Sequence, residues 1–184
     1  MNDLLILALL LGEPKHGYAI KKLAATLTGK DDLHNNLVYP GLRKFMKEGW
    51  VTSRAVSGQR GQTRDLYTLT AEGKAELRRR LTEFGPREAA SLEAFRLRVG
   101  MFDLIAPEAR LRILAARNAR NAERRERLAR LETVMTSLGA TEWAFESARF
   151  AMDLLKLEQK WIADLQRKAA HPEPPKSPRK RRNR

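Results

Sequence analysis

The apolar residues of this chain change their period at Trp50, and few folds accommodate such a change. Upstream, they recur at helical spacing in three short segments: Leu4 to Leu11, then Ile20, Leu23, Ala24 and Leu27, then Leu42, Phe45 and Met46. Residues at i, i+3, i+4 and i+7 share one face of a helix. Gly29 and Gly49 close the second and third segments, because a residue without Cβ enters the left-handed conformation that ends a helix most easily. Downstream, "WVTSRAV" and "TRDLYTLT" are rich in Val, Thr, Tyr and Trp, and "SGQRGQ" between them supplies loop glycines, so two strands joined as a hairpin are predicted. Thr70 then stands as N-cap of a further helix from Ala71 to about Glu83, with Glu72 in its first turn where the helix dipole favours a carboxylate. Helix, helix, turn, helix and a basic hairpin is the layout of a winged helix-turn-helix, whose third helix enters the major groove while the hairpin touches the backbone. The expected fold class is mainly α with a small β-hairpin wing.

The third segment, "NNLVYPGLRKFMKEGW", holds a proline inside a helical pattern. Proline lacks a backbone N–H and clashes with the carbonyl four residues back, so it belongs in the first turn. With Asn36 as N-cap, Pro40 falls at the fourth helical position and removes at most one ladder bond. It then holds Tyr39 and the asparagines at the leading end of the third helix, the end that addresses base edges and phosphates. Two readings of Tyr39 stay open: it contacts DNA, or it packs under the wing.

The charges fit that docking. Arg43, Lys44 and Lys47 lie opposite or beside the apolar face of the third helix, and Arg60 and Arg64 bracket the hairpin tip. Asn35, Asn36 and Gln62 add amide groups, which pair bidentately with adenine where they reach a base edge. Surface cations on a helix commonly face only solvent, so the weight lies on their convergence at the two elements that meet DNA.

The segments "HGYAI", "VYPGLRKFMKEGWV" and "GQTRDLYTLTAEGKAEL" resemble the PadR-like winged-helix transcriptional regulators over about 70 residues, His16 to Leu77. The shared motifs are His16-Gly17-Tyr18, Tyr39-Pro40-Gly41-Leu42 and Tyr67-Thr68-Leu69-Thr70 with Gly73. Where the family commonly carries Ser-Pro-Gly-Thr ahead of the tyrosine, this chain has His34-Asn35-Asn36-Leu37. Its wing tip has Gln62-Thr63 in place of Pro-Pro. The resemblance implies a homodimer that binds a palindromic double-stranded operator, commonly a repressor released by a small hydrophobic or phenolic effector. His16, Tyr18 and Tyr39 join the expected DNA-facing set on the strength of those motifs.

Beyond the wing the chain reads as helical from residue 88 to 170, interrupted near Gly100 to Pro107 and again at Gly139. Leu111, Leu114, Asn118, Asn121, Arg125, Leu128, Met135 and Leu138 keep three-four spacing with a polar middle. Asn118, Asn121 and Arg125 are either a solvated stretch of a long helix or a polar layer that fixes register or faces a cavity. Trp143, Phe150, Leu154, Leu157, Trp161 and Leu165 form a second seam, and such seams want partner helices. Trp143, Phe145, Phe150 and Trp161 could line an effector pocket, with Trp143, Phe150 and Trp161 as the chosen candidates, or simply be core. This half is similar to the helical C-terminal domain of the larger, virulence-activator type of PadR-like protein. The expected organisation is a winged-helix DNA-binding domain at 1–84, a helical dimerisation and effector domain at 85–170, and a disordered basic tail at 171–184.

The formal net charge is +14, with a basic excess of +5 in residues 1–84, +4 in 85–170 and +5 in the proline-rich tail "HPEPPKSPRKRRNR". A balance so basic points to a polyanionic partner. The tail reads either as an electrostatic arm or as a solubilising segment without function. No cysteine is present, which excludes disulfides and thiolate chemistry and leaves the cytoplasm as the simpler address. The apolar run Leu4 to Leu11 is too short to span a bilayer and lacks the flanks of a signal peptide, so no membrane association is expected. His34 beside Asp31 and Asp32 could hold a metal, but a turn and a helix cap account for them more simply. No phosphate loop, nucleophile elbow or paired-carboxylate setting is found, so neither an enzyme activity nor a cofactor or metal is expected. A second function class stays open: an interaction or architectural module that binds nucleic acid without sequence choice through its basic surfaces.

Overall fold

The computed structural model describes residues 2–29, 35–57 and 63–170, without the side chains of Asn35 and Asn36. The chain divides into two compact units, Met1–Phe84 with Arg96–Ile105, and Gly85–Phe95 with Ala106–Arg184. Arg96–Ile105 thus groups with the winged-helix part, although the sequence placed it in the second domain.

The first unit begins with α1 (Asn2–Leu9), two residues earlier than expected, with Leu4, Leu5, Ile6 and Leu7 all buried. A two-residue strand, β1 (Lys15–His16), follows, and no periodicity could have shown it. Next come α2 (Gly17–Thr28) and α3 (Asn35–Lys47), then β2 (Val51–Ser57), β3 (Thr63–Leu69) and α4 (Ala71–Thr82). Gly29 and Gly49 adopt left-handed φ of 64° and 75°, as their place at helix ends requires. The strands form one antiparallel sheet in the order β1-β3-β2, with Val51 opposite Leu69 and Ser57 opposite Thr63. Val51, Tyr67 and Leu69 are buried at the base of the hairpin, whereas Thr52 to Ala55 are exposed on both faces. The hairpin therefore leaves the core and stands out as a wing. Ile20, Val38, Leu42, Phe45, Leu77 and Leu81, all fully buried, join α1 in the core.

Pro40 is the sixth residue of α3, because the helix starts at Asn35. Asn36, expected as N-cap, is instead the second helical residue, and its carbonyl is the one that a residue-40 amide would have reached. The helix forgoes that single bond. The proline ring lies at the exposed surface, so its bulk displaces no core side chain.

A tight junction joins β2, β3 and α4. The Thr70 hydroxyl caps α4 by accepting from Gly73 N–H (3.0 Å) and donates to the Gly49 carbonyl (2.8 Å), while Thr70 N–H donates to Trp50 O (3.0 Å). Gly73 then meets Trp50 so closely that a Cβ there would lie 2.1 Å from the Trp50 carbonyl oxygen. The Tyr-x-Leu-Thr-x-x-Gly motif is thus a packing device: it stops the wing, caps the next helix and presses the two together.

In the second unit α5 (Pro86–Ala90) precedes α6 (Leu92–Val99), whose first four residues belong here. A 3-10 turn at Phe102–Leu104 in the first unit marks the expected interruption. The long helices α7 (Pro107–Ser137) and α8 (Glu142–Ala170) then form a hairpin that turns at Gly139, φ 65°. Its core sets Ala109, Ile113 and Leu114 of α7 with Leu155, Ile162 and Ala169 of α8 and with Ala89, Ala94 and Phe95. The buried face of α7 is rotated from the one expected: Leu111, Asn118 and Arg125 face solvent, while Arg117 and Asn121 are inside.

Replacing Gly73 by Val should lower unfolding stability by about 1–3 kcal/mol or more, the cost of overpacking against backbone that cannot retreat. A urea titration followed by circular dichroism measures it, and a midpoint equal to that of the wild type would contradict the packing described.

Candidate nucleic-acid interface

Four elements of the first unit, β1, α2, α3 and β3, converge on one groove of about 660 Å3, lined by His16, Gly17, Tyr18, Tyr39, Arg64 and Tyr67 among others. Its floor is a close contact. A Cβ on Gly17 would lie 2.7 Å from Cε1 and 3.3 Å from the hydroxyl of Tyr39, so the tyrosine ring covers the first turn of α2 at a place where only glycine fits. Of the two readings left open by the sequence, this contact gives Tyr39 a packing role, although the residue is only half-buried and still borders the groove.

His16 precedes α2 and pairs with Leu66 across the β1–β3 ladder. Its Nδ1–H donates to the Asp65 carbonyl (3.0 Å), which fixes the tautomer and leaves Nε2 as the ring's remaining polar atom. Tyr18 follows at the start of α2 and is 72% exposed. An aromatic so open beside a helix N-terminus presents a hydroxyl where the helix dipole already favours an anion. Burial pushes the Tyr67 phenol up from its ordinary value, and Asp65 and Tyr39 add to the shift while Arg43 opposes it. Asp65, Tyr39 and Arg43 therefore each lie within electrostatic reach of Tyr67.

On α3 the basic residues separate into two faces. Arg43 and Lys47 stand one and two turns beyond Tyr39 on the same face, and both are exposed with no ion-pair partner among the described residues. Lys44 lies a quarter-turn round and is tied to Asp3 of α1 (2.8 Å). Asp3 also takes Arg80 (3.1 Å), Arg80 takes Glu76 (2.6 Å), and the Arg80 guanidinium sits 5.0 Å over the Trp50 ring. Lys44 thus braces α3 against α1 and, through Asp3 and Arg80, against α4. Burial raises the Asp3 carboxyl, but the bonds and charges of Lys44 and Arg80 outweigh it and hold the group below the usual range. Glu76 is held down to about 2, chiefly by its hydrogen bond from Arg79 and then by Arg80.

Arg64 is exposed on β3 opposite Val56. Arg54, also exposed on the wing and opposite Leu66, was absent from the expected set. The alternation of "WVTSRAV" could have found it, since it stands among residues that leave the core. Arg60, Gln62 and the side chains of Asn35 and Asn36 lie outside the described residues, as do His34, Asp31, Asp32 and the basic tail. Among the described residues no group of three or more His, Asp or Glu is placed to hold a metal, and no helix is long and apolar enough to cross a membrane.

The effector candidates are not brought together in a pocket. Trp143 is 81% and Phe150 65% exposed, and Trp161 is half-buried, edge-on to Phe95 at 5.5 Å. Phe145 is half-buried. The spacing of Trp143, Phe150 and Trp161 does define one stripe of α8, but it lies about a third of a turn round the helix from Leu155 and Ile162, and Phe95 covers only its last turn. Trp143 and Phe150 are therefore neither core nor pocket wall.

Residues 6–79 match the family described as transcriptional regulator PadR-like. No curated protein matches the chain. Among solved structures, it is similar to a transcriptional regulator from Thermoplasma acidophilum, at 30% identity over 41% of this chain and 72% of that one, with a TM-score of 0.39. Bacillus subtilis PadR in complex with operator DNA shares 19% identity over 91% of this chain and 98% of that one, at a TM-score of 0.42. The same Bacillus protein in complex with p-coumaric acid shares 18% identity over 92% and 98%, at 0.39. At these TM-scores the solved structures fix the position of no residue here.

Glu76 has a depressed carboxyl, so the ionised form belongs to the folded state. Its contribution to stability is complete above about 4.5 and is lost as the pH falls toward about 2. The difference in urea midpoint between wild type and Glu76→Gln should accordingly shrink across that window. A difference that stays constant from neutral pH to pH 2 would show that the ion pairs do not hold the helices.

Proposed function

We propose that this chain, which belongs through residues 6–79 to the PadR-like family of transcriptional regulators, binds operator DNA as a homodimer. The observation that carries the reading is the groove that brings together Tyr18 at the N-terminus of α2, Tyr39 of α3 and Arg64 of the wing, with the exposed Arg43 within electrostatic reach of its Tyr67. Arg43 and Lys47, exposed one turn apart on α3 with no ion-pair partner among the described residues, enter the major groove, where arginine reads guanine bidentately. Tyr18, Arg54 and Arg64 address the phosphates on either side. Asn35, Asn36, Arg60 and Gln62 join the proposed contacts on the strength of the sequence alone, since their side chains lie outside the described residues. Lys44, committed to Asp3, steadies α3 from behind, and His16 positions Tyr18 through the β1–β3 ladder. The family points further to a repressor released by a small hydrophobic or phenolic effector, acting in the cytoplasm.

Dimerisation is supported by the second unit. Val134 near the end of α7 and Leu138 just past it, with Trp143, Phe150, Leu154 and Leu157 on α8, are all exposed, those on α8 at seven- and three-four-residue spacing. Apolar stripes of that length on a hairpin fit a second copy of the same hairpin, burying aromatic anchors at the centre of the contact.

Footprinting of wild-type protein on its own promoter should show two half-sites about one helical turn, ~10 base pairs, apart. Arg43→Ala should cost about 1–3 kcal/mol and relax the preference at one base of each half-site. In contrast, Tyr18→Phe and Arg64→Ala should weaken all sequences alike, with Arg64→Ala lowering the salt slope by about 0.9. Equal affinity of the wild type for scrambled DNA would instead favour the architectural module. In light scattering, Phe150→Glu should convert dimer to monomer and weaken operator binding with it. A monomeric wild type would remove the basis for a palindromic site.

A further inference from the structure

We infer that the second unit carries a binding site for a small organic oxyanion, set between Ala90 at the end of α5 and the Arg120–Leu131 face of α7. A cavity of about 390 Å3 lies there, of a size that holds a small organic molecule rather than a bare ion. Its polar lining consists of donors. Arg117, Arg120, Arg124 and Arg127 project from successive turns of one helix face, and Asn121 lies among them. Arg117 is matched by Glu158 and Arg120 by Glu123, so both are neutralised within the protein. Arg124 and Arg127 have no ion-pair partner among the described residues.

Asn121 supplies the second, independent sign. It is 1% exposed, and its Nδ2 has no hydrogen-bond partner among the described residues. An unmade bond of this kind costs free energy unless something arrives to accept it. The group that would satisfy a buried amide donor sharing a cavity with two uncompensated guanidinium groups is acceptor-only and negatively charged: a carboxylate or a phosphate. Leu128, Leu131 and Ala90 complete the wall, and these have nothing to offer a naked ion. The ligand class is therefore an oxyanion with an apolar body of a few carbons, its head on Asn121, Arg124 and Arg127 and its body along Leu128 and Leu131. The inference involves neither DNA nor the winged-helix unit, and it stands or falls separately from the regulator reading.

Calorimetric titration of the full chain, free of DNA and at low salt, tests it with three probes: hexanoate, hexan-1-ol and inorganic phosphate. Hexanoate should bind, with hexan-1-ol and inorganic phosphate each about tenfold weaker or worse, since one lacks the charge and the other the apolar body. Arg124→Gln combined with Arg127→Gln, both at exposed positions and harmless to the fold, should remove hexanoate binding. Asn121→Asp, which replaces the buried donor by a like charge, should do the same. Absence of hexanoate binding, equal binding of hexan-1-ol or of phosphate, or binding that survives the double arginine substitution would overturn the site.

Discussion

The missing side chain at Gly17 is the constraint on which the winged-helix unit depends. With the Tyr39 ring 2.7 Å from where a Cβ would stand, any larger residue at position 17 would have to displace that ring. The contact holds the first turn of α2 beside α3. It also sets the preceding pair, Lys15–His16, against β3, where the His16 ring locks onto the Asp65 carbonyl. One aromatic ring thereby relates the α2 N-terminus, α3 and the wing strand. Gly73 does the same work at the other end of the hairpin, where the Trp50 carbonyl occupies the space of its missing Cβ. Two glycines in the interior of a packing contact, neither at positive φ, are there because of what approaches them.

Pro40 acquires its meaning from the same geometry. It is exposed and costs α3 one bond to the Asn36 carbonyl, at the turn that carries Tyr39. Beyond that turn α3 is regular, so Arg43 and Lys47 repeat the azimuth of Tyr39 toward solvent, while Leu42 and Phe45 keep the core and Lys44 reaches Asp3. Three adjacent cations in the sequence therefore divide by helical angle into one structural residue and two available ones. Charge density alone could not have made that distinction.

Much of the fold was legible because it is local. Glycine caps at 29, 49 and 139, the Thr70 cap, the two wing strands and the break before Pro107 each follow from a few neighbouring residues. What failed depends on partners far along the chain. β1 is two residues long and exists only because β3 lies next to it, far along the chain, with Lys15 opposite Tyr67 and His16 opposite Leu66. The buried side of α7 was misjudged by about one residue, because Arg117, which the apolar spacing passes over, is held inside by a carboxylate 41 residues away. Likewise the α8 aromatics have the spacing of a core stripe, and nothing in a single chain's pattern tells a stripe that meets its own fold from one left open. The groove beside α3 was legible only as separate motifs, since the Gly17–Tyr39 contact that unites them is tertiary.

The Arg117–Glu158 fork shows how the helical unit sets its own register. Its apolar contacts, Ala109, Ile113 and Leu114 against Leu155, Ile162 and Ala169, are small or flexible aliphatic groups that would survive a slip of one turn, about 5.4 Å, with modest loss. The fork would not. Arg117 places Nε and one terminal nitrogen on the two Glu158 oxygens at 2.6 and 2.9 Å and donates its other terminal nitrogen to the Ala89 carbonyl at 2.6 Å. Displaced by a turn, a guanidinium only 3% exposed and a carboxylate 10% exposed would both be left uncompensated, a penalty of several kcal/mol. A buried ion pair contributes little net stability over a well-packed apolar alternative, so its value here is discrimination between registers. The same fork pins the last turn of α5 beside α7, and Asn121 follows Arg117 by one helical turn. The interaction that fixes the hairpin therefore also fixes Ala90, Asn121 and Arg124 around a common cavity, which could not keep its donor pattern in any other register.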